Sequence, residues 1–300
     1  MAALTGPHLS PQHKKEKTMT SIKDALAEEN FSAEEIIKLA IARRGDIFPE
    51  QRIFIEADPK AYSINQRAVG YAHQYDSLGT PDQVLSLPMR ELIATCMLAS
   101  KGDDRFAPNH VRRMWRVGVT NKVIFEAALA MVPATGWSTI PHVALAVITA
   151  GDPNYTDGAI PEGGEPKTLK PFAELTQGRT TVQGFDKVND AGLLADPDWA
   201  DIAKIDPEFA RRAARLLDYA LLVGGPGEKD LLGPGPRELV CIAGLCGKGY
   251  VDFAARHIRR AYAWGMTQRQ VLEAICCLLP MGGPPSLQLG MQAIRKAEAA

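Results

Sequence analysis

The 300-residue sequence contains no apolar run approaching the roughly 18 residues that a membrane-spanning helix requires. It also has no excess of charge of either sign, because 34 Lys and Arg oppose 35 Asp and Glu, for a net charge of −1. The first absence predicts that the protein has no membrane partner. The second predicts no nucleic-acid partner, because such a surface needs massed basic residues.

Cysteine is scarce as well, and its spacing is uninformative for redox or metal chemistry. The five cysteines lie in apolar, helix-like stretches, with neither a CxxC pair nor a metal-type spacing, at Cys96, Cys241, Cys246, Cys276 and Cys277. Histidines outside the motifs below are scattered at positions 8, 13, 73 and 142. We therefore expect small buried thiols in a reducing cytosol, a cytoplasmic location and no metal site.

The amino-terminal stretch MAALTGPHLSPQHKKEKTMTS is polar. Without an apolar segment it does not resemble a secretory signal, and we expect residues 1–20 to be a disordered tail. Met19 is a second candidate for the natural start, because helix-forming sequence begins just after it.

A long internal repeat is the main organising feature of the chain. Residues 101–120, KGDDRFAPNHVRRMWRVGVT, match residues 248–267, KGYVDFAARHIRRAYAWGMT, at nine of 20 positions without a gap. At the same offset of 147, Arg90-Glu91-Leu92 returns as Arg237-Glu238-Leu239. A repeat this long predicts duplicated domains and not a short-repeat solenoid.

Each repeat unit is predicted to be helical. Pro88 suits the first turn of a helix, Gly102 is a stop signal, and Phe106, His110 and Met114 share one apolar stripe of the next helix. No segment shows a convincing period-two alternation. The predicted fold class is all-α, with an N-terminal tail, a first unit with N-terminal helices, a linker and a second unit, at residues 1–20, 21–150, 151–171 and 172–300.

The histidine of each stripe has one candidate partner in the sequence. Glu91 precedes His110 by 19 residues across the turn at Gly102, and the two should differ in level by about 5 Å, one helical turn. Glu238 and His257 repeat this spacing. A carboxylate that orients an imidazole suits proton transfer, which makes these four residues catalytic candidates. A satisfied pair in the core is the structural alternative.

Pairs of arginines follow each histidine and are candidates for holding a substrate carboxylate. Arg113 and Arg260 come three residues after their histidines and are expected to flank the same cavity, while Arg112 and Arg259 point farther round. His142, near a helix start, is a candidate second proton carrier. A solvated helix face or ion pairs between the units remain the alternatives for the arginines.

The combination of Glu-x18-His, a Gly-x-Thr turn, a later Glu-Ala and a Pro/Gly-rich hinge resembles the carboxymuconolactone decarboxylase family, which includes the alkylhydroperoxidase D-like proteins. The resemblance covers 88–148 and 236–295 best. It implies two tandem alkylhydroperoxidase D-like helical domains, assembly into homo-oligomers, and active sites near subunit or repeat interfaces.

The sequence departs from the peroxidase branch of that family. Its members are similar in the Glu and His but carry cysteines seven and four residues before the His, where this chain has Asp103 and Phe106, and then Tyr250 and Phe253. A thiol-peroxidase cycle is therefore disfavoured. The resemblance then implies a decarboxylase that uses neither metal nor organic cofactor and acts on a small carboxylate, in aromatic or related catabolism.

Three hypotheses follow, and the first is preferred. The protein is a cofactor-free carboxy-lyase, a non-catalytic oligomeric scaffold or binding protein, or an enzyme with related proton-transfer chemistry such as isomerisation or hydrolysis. The two units also differ around the histidine, since Ala255 and Arg256 replace Pro108 and Asn109, and Leu289 replaces His142. This divergence predicts one catalytic and one structural unit, with the first favoured as the catalytic one.

Overall fold

The computed structural model describes residues 31–44, 47–73, 84–155, 160, 163–181, 197–222 and 231–299. Within these ranges the chain forms 13 α-helices and one short 3-10 helix, with no strand. The prediction of an all-α fold is confirmed. The predicted disordered tail at residues 1–20 lies outside the described residues. None of the described helices combines the length and apolarity that crossing a membrane would take.

The helices fall into three groups along the chain. The first group packs beside the first unit and comprises α1 (Ala33–Arg44), α2 (Pro49–Ala57) and α3 (Pro59–His73). The first unit proper contains α4 (Leu87–Ser100), α5 (Ala107–Arg116), α6 (Asn121–Thr135) and α7 (Thr139–Ala150). After the 3-10 helix at Ala173–Thr176 come α8 (Pro197–Ile205), α9 (Pro207–Leu222), α10 (Pro234–Lys248), α11 (Val251–Ala263), α12 (Gln268–Cys276) and α13 (Leu279–Glu298).

Several helix boundaries are set by residues that the sequence singles out. Ser32 and Glu35 form a capping box, with the Glu35 amide donating to the Ser32 hydroxyl and the Ser32 amide donating to the Glu35 carboxylate. Pro88 occupies the first turn of α4, and Gly102 follows the helix with a φ of 70°. Helix α6 continues through Pro133 to Thr135 and is followed by Gly136 at a φ of 85°.

The two units pack on each other around one continuous apolar core. Helices α10 and α12 begin 147 residues after α4 and α6, as positions 234 and 268 follow 87 and 121. Helix α10 packs against both α4 and α6. The duplication and the proposed domain boundaries stay predictions from the sequence.

Two buried ion pairs cross between the units in a reciprocal arrangement. Arg90 Nη2 lies 2.5 Å from Glu273 Oε2, and Arg237 Nη2 lies 3.1 Å from Glu126 Oε2. Each carboxylate also accepts hydrogen bonds from two backbone amides of the other unit, those of Val84 and Leu85 at Glu273 and those of Leu231 and Leu232 at Glu126. The arginine Nε groups donate to the carbonyls of Leu85 and Leu232. These bonds fix how the two units sit on each other.

Part of the segment between the units contacts both of them. The Lys170 amide donates to the Gly118 carbonyl, and Glu165 accepts from the Asn121 amide in the first unit. The Gly233 amide at the start of α10 donates to the Leu175 carbonyl. Residues 163–181 therefore connect the end of α5 to the start of α10.

Candidate functional site

Glu91 and His110 are brought together by the hairpin of α4 and α5. Glu91 lies in the second turn of α4 and is fully buried, and His110 lies in the first turn of α5. His110 Nδ1 is 2.5 Å from Glu91 Oε2. The predicted contact is confirmed, because the two helices run antiparallel from the Gly102 turn with the two side chains at nearly the same level.

The same carboxylate also holds Arg113, which lies one helical turn after His110. Arg113 Nη1 is 3.4 Å from Glu91 Oε1, so the two carboxylate oxygens face two different cationic or hydrogen-bonding partners. With Nδ1 directed at Glu91, the imidazole presents Nε2 on its opposite side. This arrangement fixes the ring orientation, which is the role a carboxylate plays beside a proton-transferring histidine.

His110 and Arg113 line a cavity of about 370 Å³, here called the first cavity. Lys101 and Asp103 bring charge to its wall, and Gln51, Asn65, Gln66 and Asn109 bring amide groups. The apolar part of the wall consists of Phe48, Val69, Ala94, Leu98, Phe106, Pro280 and Met281. The first cavity thus suits a small molecule that carries several oxygen atoms and a negative charge.

Each of three groups of helices contributes to the first cavity. Helices α2 and α3 supply its amides, apart from Asn109. The turn between α4 and α5 supplies Lys101 and Asp103, and α5 supplies His110 and Arg113. Pro280 and Met281 belong to α13 in the second unit, and the Lys101 ammonium donates to the Met281 carbonyl. The cavity therefore lies between the units, as the resemblance implies for the active site.

Glu238 and His257 repeat the arrangement in the second unit. His257 Nδ1 lies 2.7 Å from Glu238 Oε2, and Arg260 Nε donates to Glu238 Oε1 at 2.8 Å. Burial lowers the pKa of His257, but Cys241 and the Glu238 carboxylate outweigh burial and raise it to about 10. Burial raises the pKa of Glu238, whereas Arg260 and His257 bring it below its ordinary value. Both shifts favour the charged forms of the two side chains.

His257 and Arg260 line a separate space of about 320 Å³, here called the second cavity. Its walls are mostly apolar and aromatic, and Asp218 is its one acidic lining residue. The other lining residues are Pro133, Trp199, Leu217, Leu221, Leu245, Tyr250 and Phe253. Pro133 comes from the first unit, so this cavity is also completed by the opposite unit.

Three of the predicted substrate-binding residues lie away from both cavities. Arg112 is buried and donates to the carbonyls of Ala150, Asp152 and Tyr155, so it holds the chain after α7 in place. Arg259 is exposed and His142 pairs with Asp104 at 3.0 Å, and neither is among the residues that line the first or the second cavity. Of the four predicted arginines, Arg113 and Arg260 line the cavities, and Arg112 and Arg259 point elsewhere as expected. A substrate-binding role for any of these residues stays a prediction.

The sequence did not identify Lys101, Gln51, Asn65 and Gln66 as lining residues of the first cavity. Lys101 stands in the repeated segment, but its recurrence as Lys248 in the second unit suggested only a helix end. Gln51, Asn65 and Gln66 belong to helices whose sequence carries no motif. Within the described ranges, no group of three or more His, Cys, Asp or Glu side chains is arranged to hold a metal ion.

Comparison with known families supports the resemblance for part of the chain. Residues 70–150 match the model of the carboxymuconolactone decarboxylase family. This part of the chain is similar to that family. The match includes Glu91, His110 and Arg113, while the second unit lies outside the matched residues. A search of the curated proteins finds no match to this chain at the level of significance applied.

Neither unit has thiols at the positions where the resemblance implies them for the peroxidase branch. Asp103 and Phe106 occupy those positions and line the first cavity, and Tyr250 and Phe253 line the second. Four of the five cysteines are buried, and Cys276 is partly exposed. Burial raises the pKa of Cys246 and of Cys277 to about 12. These thiols are protonated at neutral pH, which disfavours thiolate chemistry.

Proposed function

We propose that the protein is a cofactor-free enzyme that transfers a proton to a small unsaturated carboxylic acid or lactone in the first cavity, with decarboxylation as the reaction. The observation that carries this proposal is the 2.5 Å contact between His110 Nδ1 and Glu91 at the wall of that cavity. The family match of residues 70–150 supports the same class of chemistry.

The proposed reaction needs a place for the departing carboxylate and a proton for carbon. The bond between the carboxylate and the adjacent carbon breaks, CO2 leaves, and the electron pair is delocalised into the conjugated carbonyl. Imidazolium His110 then delivers the proton from Nε2 to carbon, and water restores that proton. The contact between Glu91 and Nδ1 holds the ring in the orientation that this transfer needs.

Anchoring of the substrate is assigned to the cationic side chains of the first cavity. Arg113 is held by Glu91 and lines the cavity beside His110, and Lys101 lines it near the second unit. A guanidinium or an ammonium group matches a carboxylate or a polarised lactone carbonyl. The amides of Gln51, Asn65 and Gln66 suit further oxygen atoms of the substrate.

The test begins with a screen for CO2 release from unsaturated lactone acids and β-keto acids. On the substrate found, His110→Asn should lower kcat about 10²- to 10⁴-fold, the usual contribution of a positioned acid or base. In D2O the wild-type product should carry deuterium at the carbon that lost CO2. The matched control is His257→Asn, which should keep kcat within about threefold.

Two outcomes would contradict the proposal. Full activity of His110→Asn on that substrate would remove the proton-transfer role, and selective loss in His257→Asn would assign the chemistry to the second cavity. Circular dichroism and thermal unfolding separate these results from misfolding. Should His110→Asn fail to fold, Glu91→Gln provides the same comparison with Glu238→Gln.

The non-catalytic alternative has one specific observation in its favour. In both units the carboxylate is fully buried and ties two helices together, which is what a structural pair would do. A scaffold predicts that no substrate in the screen is turned over and that His110→Asn and His257→Asn lower stability equally. Turnover that depends on His110 alone would exclude it.

A further inference from the structure

The second cavity differs in chemistry from the first although it has the same Glu-His-Arg arrangement. At matching positions of the two units, Tyr250 stands where the first cavity has Asp103. In the helices over the cavities, Trp199 and Leu217 follow Gln51 and Val69 by 148 residues. Two aromatic rings therefore replace an amide and a carboxylate, while Leu217 keeps the aliphatic character of Val69, and the second cavity suits a less polar ligand.

Two aromatic rings beside the second cavity keep much of their surface uncovered. Tyr250 is 51% exposed and Phe253 is 49% exposed, with their centroids 6.4 Å apart in an edge-to-face arrangement. In the first unit, Phe106 packs edge-to-face on Phe48 at 4.8 Å. Exposed rings at the wall of a cavity offer the apolar surface that a planar ligand would cover.

The polar groups of the second cavity define the rest of the ligand. Arg260 uses Nε for Glu238, and in the part of the chain that the structure describes no other side chain accepts a hydrogen bond from it. Its Nη groups are thus available to an oxygen acceptor. The acidic side chains of Asp218 and Glu238 offset the basic side chains of Arg260 and His257. The cavity therefore has no excess of positive charge that would favour a polyanionic ligand.

We infer that the second cavity is a binding site for a single-ring aromatic molecule that carries an oxygen acceptor, separate from the first cavity. The ring would lie against Trp199, Tyr250 and Phe253, and its oxygen would accept from Arg260. The space of about 320 Å³ falls near the lower end of the range for small-molecule sites. The inference does not depend on the proposed reaction, because it concerns binding at the other cavity.

The experiment uses the full chain and three probes in isothermal titration calorimetry. Benzoate and benzamide both carry an aromatic ring and an oxygen acceptor, and they differ in that benzoate is charged and benzamide is neutral. Cyclohexanecarboxylate has the same charged acceptor as benzoate but no aromatic ring. We expect benzoate or benzamide to bind, and cyclohexanecarboxylate to bind at least about threefold more weakly, because it loses the aromatic contacts. Binding of neither aromatic probe at millimolar concentration would overturn the inference, as would equal binding of all three.

Matched variants place the binding in one cavity. Leu217→Trp fills the second cavity and should weaken probe binding at least about tenfold, while Val69→Trp, at the corresponding position of the first cavity, should leave it unchanged. Equal loss in both variants, or loss in Val69→Trp alone, would overturn the assignment.

A second pair of variants keeps the test decisive if Leu217→Trp does not fold. Tyr250→Asp introduces the residue of the first unit at a half-exposed position and should weaken binding about three- to tenfold. Its control, Tyr219→Asp, alters a tyrosine of similar exposure, 56%, that does not line the cavity. Unchanged binding in Tyr250→Asp, or an equal loss in the control, would contradict the inference.

Discussion

The guanidinium of Arg90 and the carboxylate of Glu273 meet at 2.5 Å inside the core, although 183 residues separate them in the sequence. The reciprocal pair, Arg237 and Glu126, meets at 3.1 Å. Because each carboxylate also binds two amides of the opposite unit, the relative position of the two units depends on these four side chains.

Removing one of these charges should destabilise the whole chain. Glu273→Gln leaves Arg90 buried without its counter-ion, which costs roughly 3–5 kcal/mol in comparable buried pairs. Urea denaturation of the full chain measures this loss. The exposed variant Glu208→Gln should stay within about 0.5 kcal/mol of the wild type. A loss for Glu273→Gln no larger than for the control would mean that the pair does not hold the units together.

Stability should depend on pH through His257. Its pKa rises from 6.5 to about 10 in the folded chain, so its stabilising contribution is complete below pH 6.5 and declines as the pH rises toward 10. Between pH 6 and pH 8.5 the wild type should lose roughly 1–3 kcal/mol more unfolding free energy than His257→Gln. Unfolding curves at the two pH values give the difference, and parallel changes in the two proteins would contradict it.

Gly118 should tolerate a methyl group less well than Gly136. Both have a positive φ, 90° and 85°, but a Cβ on Gly118 would lie 2.4 Å from Lys170 Cγ, whereas one on Gly136 meets nothing within 4 Å. Gly118→Ala should therefore cost about 1 kcal/mol more than Gly136→Ala, since both share the backbone strain. Thermal unfolding of the pair checks this. Equal costs would show that the segment around Lys170 moves aside freely.

The cysteines should react slowly with a thiol reagent in the native protein. Four of the five are buried, and burial raises the pKa of Cys96 above its ordinary range as well as those of Cys246 and Cys277. We expect rapid labelling of at most Cys276 without denaturant and of all five thiols after unfolding. Rapid labelling of several native thiols, together with peroxide consumption, would revive the thiol-redox hypothesis.

The contact between Glu91 and His110 could be predicted from the sequence, because the register of two helices joined by a tight turn can be calculated. The same argument places Arg113 near that carboxylate. For Arg112, helical spacing gives the direction of the side chain but does not identify its partners. In the folded chain, backbone carbonyls after α7 accept its hydrogen bonds.

The residues that line the first cavity could not be predicted in the same way. Gln51 and Asn65 reach it only because α2 and α3 pack over the hairpin, and Met281 reaches it only because the units associate. None of these positions belongs to a local pattern. The amide character of the cavity therefore emerges from tertiary packing alone.

Pro133 in the wall of the second cavity and Pro280 in the wall of the first have a joint consequence. Each half of the chain supplies part of the wall of the cavity that lies mainly in the other half. If the halves were expressed as separate polypeptides, both cavities would lose a side until the halves found each other again. A molecule that fills either cavity would contact both halves and stabilise their association. Its apparent affinity would decrease as the assembled fraction of the halves decreases.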